Sequence, residues 1–269
     1  MNDPIPHAAL TAEAPLLLRE TRDAVATLTL NRAQNYNALS SAMLDALQSA
    51  LDAIAKDSSV RVVVIAGSGP AFCAGHDLKE MRANYELGKT QALFEQCSRM
   101  MMTIQALPQP VIARVHGIAT AAGCQLVAQC DLAVASDNAT FATSGLNVGL
   151  FCSTPSVPLA RNVSRKQALE MLLTAEFIDA QQALQRGLVN RVVAPEQLDA
   201  EIARMAGAIR AKPAAAVTLG KEMFYRQIEM PLAQAYSYAA GVMACNFMLP
   251  EAAEGVDAFA QKRPPKWDP

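Results

Sequence analysis

Hydrophobic and polar positions along the chain alternate between two periods. Apolar residues at every second position over 25–30 predict a strand with one buried face, and the continuous β-branched run at 61–66 predicts a strand covered on both faces. Between them, apolar residues recur at steps of three and four from Met43 to Ile54, which predicts an amphipathic helix. Ser40 is placed to cap the amino end of this helix.

The same patterns continue through the middle of the chain. They predict two more helices and two more strands: helices at 90–107 and 122–129, and strands at 110–115 and 132–136. Strands that alternate with helices indicate a mostly parallel α/β core. This periodicity does not by itself distinguish a doubly wound sheet from other arrangements of the same elements.

Two further helices and one strand are predicted before the pattern changes. Ser164 and Gln167 have the spacing of a capping box, so a helix is expected to begin there and to reach about residue 174. Asp179 is expected to begin a second helix, and Gly187 is a suitable stop for it. The apolar segment 188–193 predicts a last strand.

From Pro195 onward only helical patterns remain, and prolines divide them. The chain is therefore predicted to have three parts. They are a flexible N-terminal leader at 1–15, an α/β core at 16–194 and a helical C-terminal region at 195–269.

Composition and charge exclude several classes of partner. The net charge of -2 provides no basic surface for a phosphate backbone, so nucleic acid is not an expected partner. No stretch approaches the roughly 18 apolar residues of a membrane helix, and the leader lacks the basic start and apolar segment of a secretory signal. We expect a cytoplasmic protein, or one of an organelle matrix if the source is eukaryotic.

Cysteines and histidines do not form a metal-binding pattern. The six cysteines have irregular spacing and lie mostly within apolar runs, so all are expected to be reduced and buried. The three histidines have no ligand-like spacing to one another or to paired cysteines. We therefore expect no metal and no permanently bound cofactor.

Candidate chemistry lies in two turns rich in small residues. The segments 67–79 and 115–126 each follow a predicted strand and lead into a helix. Small residues allow a ligand to approach the backbone, and the first amides of a helix have no partner within it. Such amides can stabilise a developing oxyanion. A phosphate-binding or dinucleotide-binding loop is less consistent with the sequence, because Gly67 and Gly69 are followed by Pro70 and no third glycine or G-K-[ST] occurs.

These turns, together with segments across nearly the whole chain, resemble the crotonase superfamily, the enoyl-CoA hydratase/isomerase family. The resemblance is carried by LNRAQNYNAL (30–39), AFCAGHDLKEM (71–81), VHGIATAAGCQLVAQCDLAVAS (115–136), FATSGLNVGLF (141–151), LTAEFIDAQQALQRGLVNRVV (173–193) and DAFAQKRPPKW (257–267). It implies a crotonase-like spiral of β-β-α turns with a helical C-terminal trimerisation region. It also implies self-association as a trimer or a dimer of trimers.

The resemblance also implies which residues form the site. The two backbone amides of the oxyanion hole correspond to His76 and Ala122. Residues from three segments of the chain would contact the coenzyme A part of an acyl-CoA thioester substrate. They are Asn35, Tyr36, His76, Asp77, Leu78, Lys79 and Lys262. Lysines are suited to its phosphates.

The sequence departs from the family at the acid and base. The positions of the two glutamates that hydratases use are occupied by Gln125 and Gly145, and the position of the isomerase acid falls on or near Ser153. The resemblance is thus to the branch of enoyl-CoA hydratase domain-containing proteins that lacks both catalytic glutamates. Because none of these three side chains exchanges a proton near neutral pH, efficient hydration is not expected.

Other candidates for proton transfer or nucleophilic attack are few. His76 and His116 titrate near neutral pH, although His116, next to Gly117, is more simply explained as satisfying a turn. Cys124 and Cys152 are interpreted as small buried hydrophobic residues.

The resemblance implies a protein that binds and processes acyl-CoA through a stabilised thioester enolate, formally an enoyl-CoA hydratase. Two alternatives remain open. One is another reaction of the family, such as isomerisation, decarboxylation or thioester hydrolysis, with an unidentified base. The other is a catalytically silent acyl-CoA-binding or regulatory protein.

Overall fold

Two sheets form the centre of the computed structural model, which describes residues 14–267. The larger sheet has six strands in the order β1-β2-β3-β5-β7-β10, and the smaller has four in the order β4-β6-β8-β9. The strands are β1 (Leu17–Arg22), β2 (Val25–Leu30), β3 (Val62–Gly67), β4 (Ala71–Cys73), β5 (Val111–Val115), β6 (Ile118–Thr120), β7 (Leu132–Ser136), β8 (Thr140–Ala142), β9 (Ile178–Asp179) and β10 (Arg191–Val193). Of the strand pairs within residues 14–267, β1–β2 and β8–β9 are antiparallel and the others are parallel.

The helices lie between and after these strands. They are α1 (Ser41–Ala55), α2 (Leu78–Ala83), α3 (Leu87–Ala106), α4 (Ala122–Gln129), α5 (Ser153–Asn162), α6 (Arg165–Thr174), α7 (Ala180–Arg186), α8 (Leu198–Arg210), α9 (Ala214–Gln227), α10 (Leu232–Phe247) and α11 (Pro250–Ala260). Short 3-10 helices occupy 33–35, 144–148 and 195–197. Among residues 14–267, no helix is long and apolar enough to cross a membrane.

The chain repeats one unit, in which a strand of the large sheet is followed by a short strand of the small sheet and then by a helix. β3, β4 and α2 form one such turn, β5, β6 and α4 the next, and β7, β8 and α5 the third. This is the β-β-α spiral that the resemblance implies, and the prediction of fold class is confirmed. A doubly wound sheet would have contained no second sheet of short strands.

Burial on both faces of the large sheet explains its apolar strands. Val63 and Ile65 of β3 point into the main core with α1, whose Leu47 and Leu51 are fully buried. Val62 and Val64 point the other way, into a second cluster with Leu198, Ile202 and Ala206 of α8. The residues after Pro195 are helical as predicted, and α8 packs directly on the sheet of the core.

Several local predictions are corrected by the structure. The Ser164 side chain makes no hydrogen bond to the α6 backbone and instead contacts the Gln167 side chain, so this pair is not a capping box. A true capping box begins α7, where Asp179 and Gln182 accept from each other's amides. Five cysteines are buried and unpaired as predicted, but Cys245 is exposed on α10. Most of the predicted leader, 1–13, lies outside the described residues.

A buried cluster joins the C-terminal helices to the core. The Lys221 ammonium on α9 contacts the Asp131 carboxylate at 2.7 Å and the carbonyls of Ile104 and Gln109, each at 3.0 Å. Asp131 also accepts from the Tyr225 hydroxyl at 2.8 Å. Burial is the main cause that lowers the pKa of Lys221, against the opposing effect of Asp131. These polar contacts thus anchor helix α9 to residues of the core between 104 and 131, which are far from it in the sequence.

Candidate active site

Two backbone amides lie on neighbouring loops where strands of the small sheet end. His76 follows β4, and Ala122 is the first residue of α4, just after β6; β4 and β6 are parallel neighbours. A Cβ placed on Gly75 would lie 3.1 Å from the Ala122 nitrogen, so the two loops are in direct contact. Among residues 14–267, neither the His76 nor the Ala122 amide donates a hydrogen bond. Two adjacent unpaired amides form an arrangement that can stabilise an oxyanion.

Unusual backbone angles hold these amides in place. Gly75 has φ of +93°, and a Cβ there would also approach the Ala121 Cβ to 2.9 Å and the Thr120 carbonyl oxygen to 3.1 Å. Ala121 itself has φ of 50° and ψ of -119°, a conformation that favours glycine. Its amide donates to the Ala142 carbonyl of β8 at 3.0 Å, which fixes the turn against the small sheet. Strain of this kind is often located at functional sites.

The loop before α1 is bound along the loop that carries His76. The Tyr36 carbonyl accepts from the Ala74 amide at 3.0 Å, and the Leu39 amide donates to the Gly75 carbonyl at 2.7 Å. The fully buried Asn37 side chain donates to the carbonyls of Ser68 and Ala71, each at 2.8 Å. The segment 30–39 carries part of the family resemblance, but no pattern in the sequence identifies Asn37 as the residue that joins the loops.

A charged pair completes this connection. The Arg32 guanidinium contacts the Asp77 carboxylate at 3.0 Å, with side chains that are only 19% and 14% exposed. Asp77 also caps α2 by accepting from the amides of Lys79 and Glu80. Burial alone would raise the pKa of Asp77, but the Glu80 amide and the Arg32 guanidinium outweigh it and lower the pKa. Asp77 is thus an anion that orients the loop.

The structure brings most of the predicted coenzyme A contacts together. Asn35, Tyr36, Leu78 and Lys79 are exposed on the two joined loops. Lys262 is not among them. It follows α11, a helix that packs against α10.

The two ring nitrogens of His76 are buried. Neither forms a hydrogen bond with residues 14–267, and the ring packs edge-on against Phe94 of α3 with centroids 5.3 Å apart. Burial lowers the pKa of His76, so the imidazole is neutral at pH 7. His116 is different, because its Nε2 lies 2.8 Å from the Gly69 carbonyl, which fits its interpretation as a turn residue.

The two positions that replace glutamates have different surroundings. Gln125 on α4 is 4% exposed, and its side-chain oxygen has no partner within the described chain. Gly145 is enclosed, since a Cβ there would lie 2.2 Å from the Leu150 carbonyl oxygen and 2.8 Å from the Cys152 sulfur. A carboxylate therefore fits at 125 but not at 145 unless the segment at 150–152 moves.

Other groups near these positions do not supply an acid or a base of suitable pKa. Thr120 and Ser144 share a hydrogen bond of 2.7 Å, a pair that the sequence did not identify. Burial raises the pKa of the Cys124 thiol to about 12 and also raises that of Cys152, so both remain protonated. Ser153 is exposed at the start of α5. Within residues 14–267, no cluster of three metal-binding side chains occurs.

Sequence comparison agrees with the fold. Residues 20–269 match the family described as Enoyl-CoA hydratase/isomerase. The chain therefore belongs to the enoyl-CoA hydratase/isomerase family of the crotonase superfamily. It is 46% identical over 256 residues to the rat protein named enoyl-CoA hydratase domain-containing protein 3, mitochondrial. The aligned region covers 95% of this chain and 85% of the rat protein.

Solved structures give the same result. A crystal structure described as enoyl-CoA hydratase from Mycobacterium smegmatis is 61% identical, covers 94% of this chain and 99% of its own, and superposes with a TM-score of 0.93. The human enoyl-CoA hydratase domain-containing protein 3 is 46% identical, with coverage of 94% and 100% and a TM-score of 0.92. The chain thus resembles both a structure described as a hydratase and a member named only for its domain.

Proposed function

We propose that this protein binds an acyl-CoA thioester and places its carbonyl oxygen between the amides of His76 and Ala122. The observation that carries this proposal is the adjacency of two unpaired amides, held by Gly75 and the strained Ala121. Such donors stabilise the enolate that forms when a thioester gains charge on its oxygen. Coenzyme A then lies along Asn35, Tyr36 and 76–79, with Lys79 at its phosphates. Lys262 lies apart from these residues within one chain, so it reaches a phosphate of coenzyme A bound to a neighbouring copy in the trimer proposed below.

The chemistry available at this site is stabilisation of charge rather than proton transfer. Gln125 can hold a water molecule or a polar substituent, but it does not exchange a proton. Among the alternatives, loss of CO₂ from an acyl-CoA that carries a carboxylate on its α-carbon fits the site best. The bond to CO₂ breaks and its electron pair forms the enolate without a protein base, and the α-carbon then takes its proton from water. A protein that binds acyl-CoA without turnover is the remaining candidate.

Calorimetry tests the binding proposal. Acetyl-CoA and a medium-chain acyl-CoA are expected to show saturable binding to the wild-type protein below millimolar concentration. Absence of saturable binding by both would contradict the proposed function.

Hydration of crotonyl-CoA is expected to be far slower than the roughly 10 per second typical of enzymes. A positioned acid or base contributes about 10²- to 10⁴-fold to the rate, and both family glutamates are replaced here.

Gln125→Glu is expected to raise the rate of hydration, because the two side chains have nearly equal volume and the glutamate can exchange a proton. Gly145→Glu, which would place a carboxylate at the position of the second family glutamate, is not expected to help because position 145 has no room for a Cβ. Loss of enoyl thioester absorbance measures the rates; fast hydration by the wild-type protein would contradict this interpretation.

We also propose assembly into trimers or dimers of trimers. In the described chain, Ala235 is the only buried residue of α10, and nine apolar side chains of the C-terminal helices and their connections are about half exposed or more: Phe224, Ile228, Leu232, Tyr236, Met243, Phe247, Met248, Val256 and Phe259. Tyr225 and Tyr238, which also belong to these helices, are partly buried in the single chain. An apolar surface of this extent indicates a partner.

Light scattering is expected to give a mass of three or six chains of 28.7 kDa. A stable monomer at micromolar concentration would contradict assembly through this surface.

We propose an organelle matrix rather than the cytoplasm if the source is eukaryotic, because the rat and human relatives are named mitochondrial.

A further inference from the structure

The chain reverses direction at the end of α11 and folds back along that helix. Lys262 has φ of 53°, and the amides of Lys262 and Arg263 donate to the carbonyls of Phe259 and Ala258 at 3.1 and 3.0 Å. Further on, the Trp267 ring lies so close to α11 that a Cβ on Gly255 would approach it to 3.0 Å. Residues 261–267 therefore form a fixed return rather than a trailing end.

Glu254 holds this return in place. Its carboxylate accepts from the two terminal nitrogens of Arg263 at 2.6 and 2.8 Å, and also from the Lys266 amide at 2.7 Å. A bidentate contact of this kind fixes both partners in orientation. The Arg263 hydrogen bond is the main cause that lowers the pKa of Glu254 to about 2. The carboxylate is therefore charged throughout the neutral range.

Lys262 is the residue at which the chain turns back, and its charge is not paired within residues 14–267. Its side chain is exposed, and its ammonium has no ion pair or hydrogen bond among residues 14–267. The neighbouring Arg263 guanidinium is occupied by Glu254. The contacts of Glu254 with Arg263 and with the Lys266 amide, called the clamp below, fix the backbone that follows Lys262 and leave the Lys262 ammonium available to an anion.

We propose that Glu254 is a positioning residue, which through Arg263 holds Lys262 to contact a phosphate of coenzyme A. This inference rests on the proposed function, in which Lys262 is such a contact. Without the clamp, the left-handed backbone of Lys262 and its lysine side chain must be ordered on binding, at a cost in affinity.

A double-mutant cycle tests the proposal with coenzyme A itself as the titrant. Glu254→Gln is expected to weaken coenzyme A binding about 3- to 10-fold, because the contact between Lys262 and the phosphate is then no longer preorganised. Arg263→Met, which removes the other half of the clamp, is expected to do the same. Neither is expected to weaken binding further when Lys262→Ala is already present. Glu251→Gln, on the same helix and outside the clamp, serves as the matched control and is expected to bind like the wild-type protein.

The outcomes separate the two proposals. If the wild-type protein binds coenzyme A but Glu254→Gln binds equally well, the positioning role is wrong while the proposed function stands. A loss that persists in full in the Lys262→Ala background would also overturn the role, because it would act independently of Lys262. If the wild-type protein shows no saturable binding of either coenzyme A or acyl-CoA, the proposed function fails and this inference fails with it.

Discussion

Gly75→Ala is expected to weaken acyl-CoA binding by at least about 10-fold. This corresponds to a loss of at least about 1.4 kcal/mol in the binding free energy. The added Cβ would lie 2.9 Å from the Ala121 Cβ and 3.1 Å from both the Ala122 nitrogen and the Thr120 oxygen. These contacts are too short, and two of them are to backbone that cannot rotate away. Relief requires the loop at His76 to separate from the loop at Ala122, which displaces the two amides from each other.

The same substitution is expected to destabilise the fold. The φ of +93° at Gly75 disfavours any side chain, and overpacking adds to this cost, so the free energy of unfolding should fall by about 2 to 5 kcal/mol. Gly88→Ala is the matched control, because a Cβ at this position of α3 meets no atom within 4 Å. Calorimetric titration of the folded fraction measures the affinity. Wild-type affinity in folded Gly75→Ala would show that the two amides do not hold the thioester.

Lys221→Met is expected to lower the free energy of unfolding by about 3 to 5 kcal/mol, the usual cost of removing one partner of a buried ion pair. The Lys221 and Asp131 side chains are 7% and 12% exposed, so the remaining carboxylate would be left charged in a region of low polarity. The carbonyls of Ile104 and Gln109 would also lose their donor. Denaturant unfolding measures the change.

Two further variants identify the cause of this loss. Adding Asp131→Asn to Lys221→Met removes the uncompensated charge, so part of the stability should return. Lys166→Met, on an exposed face of α6, changes the same side chain where it has no ion pair with the described residues and should have little effect. If Lys221→Met were as stable as Lys166→Met, the anchoring role of the pair would be refuted.

The sequence predicted the long elements well because their periodicity follows from burial. Helix α4 and strand β7 have the predicted bounds, and α1 has its predicted cap, a hydrogen bond from the Met43 amide to Ser40. The strands β4, β6 and β8 have three residues each, which is too short for an alternating pattern to be recognised. The small sheet, and with it the placement of the two amides, was therefore predicted only by the family resemblance.

Features that depend on distant contacts were not visible in the sequence. The crowding at Gly145 comes from Leu150 and Cys152, which fold over it. The pairing of Lys221 with Asp131 crosses 90 residues, and no local pattern predicts it. Cys245 lies in an apolar run and was expected to be buried, yet α10 buries little of its surface within one chain.

Infrared difference spectroscopy of bound butyryl-CoA tests most directly whether the two backbone amides polarise a thioester carbonyl. A ¹³C label at the thioester carbon identifies its stretching band, and the saturated chain offers no double bond to hydrate. Hydrogen bonds from the His76 and Ala122 amides are predicted to move this band to lower wavenumber on binding, and Gly75→Ala is predicted to reduce the shift. A bound ligand whose carbonyl band remains at its position in water, or moves to higher wavenumber, would contradict the account.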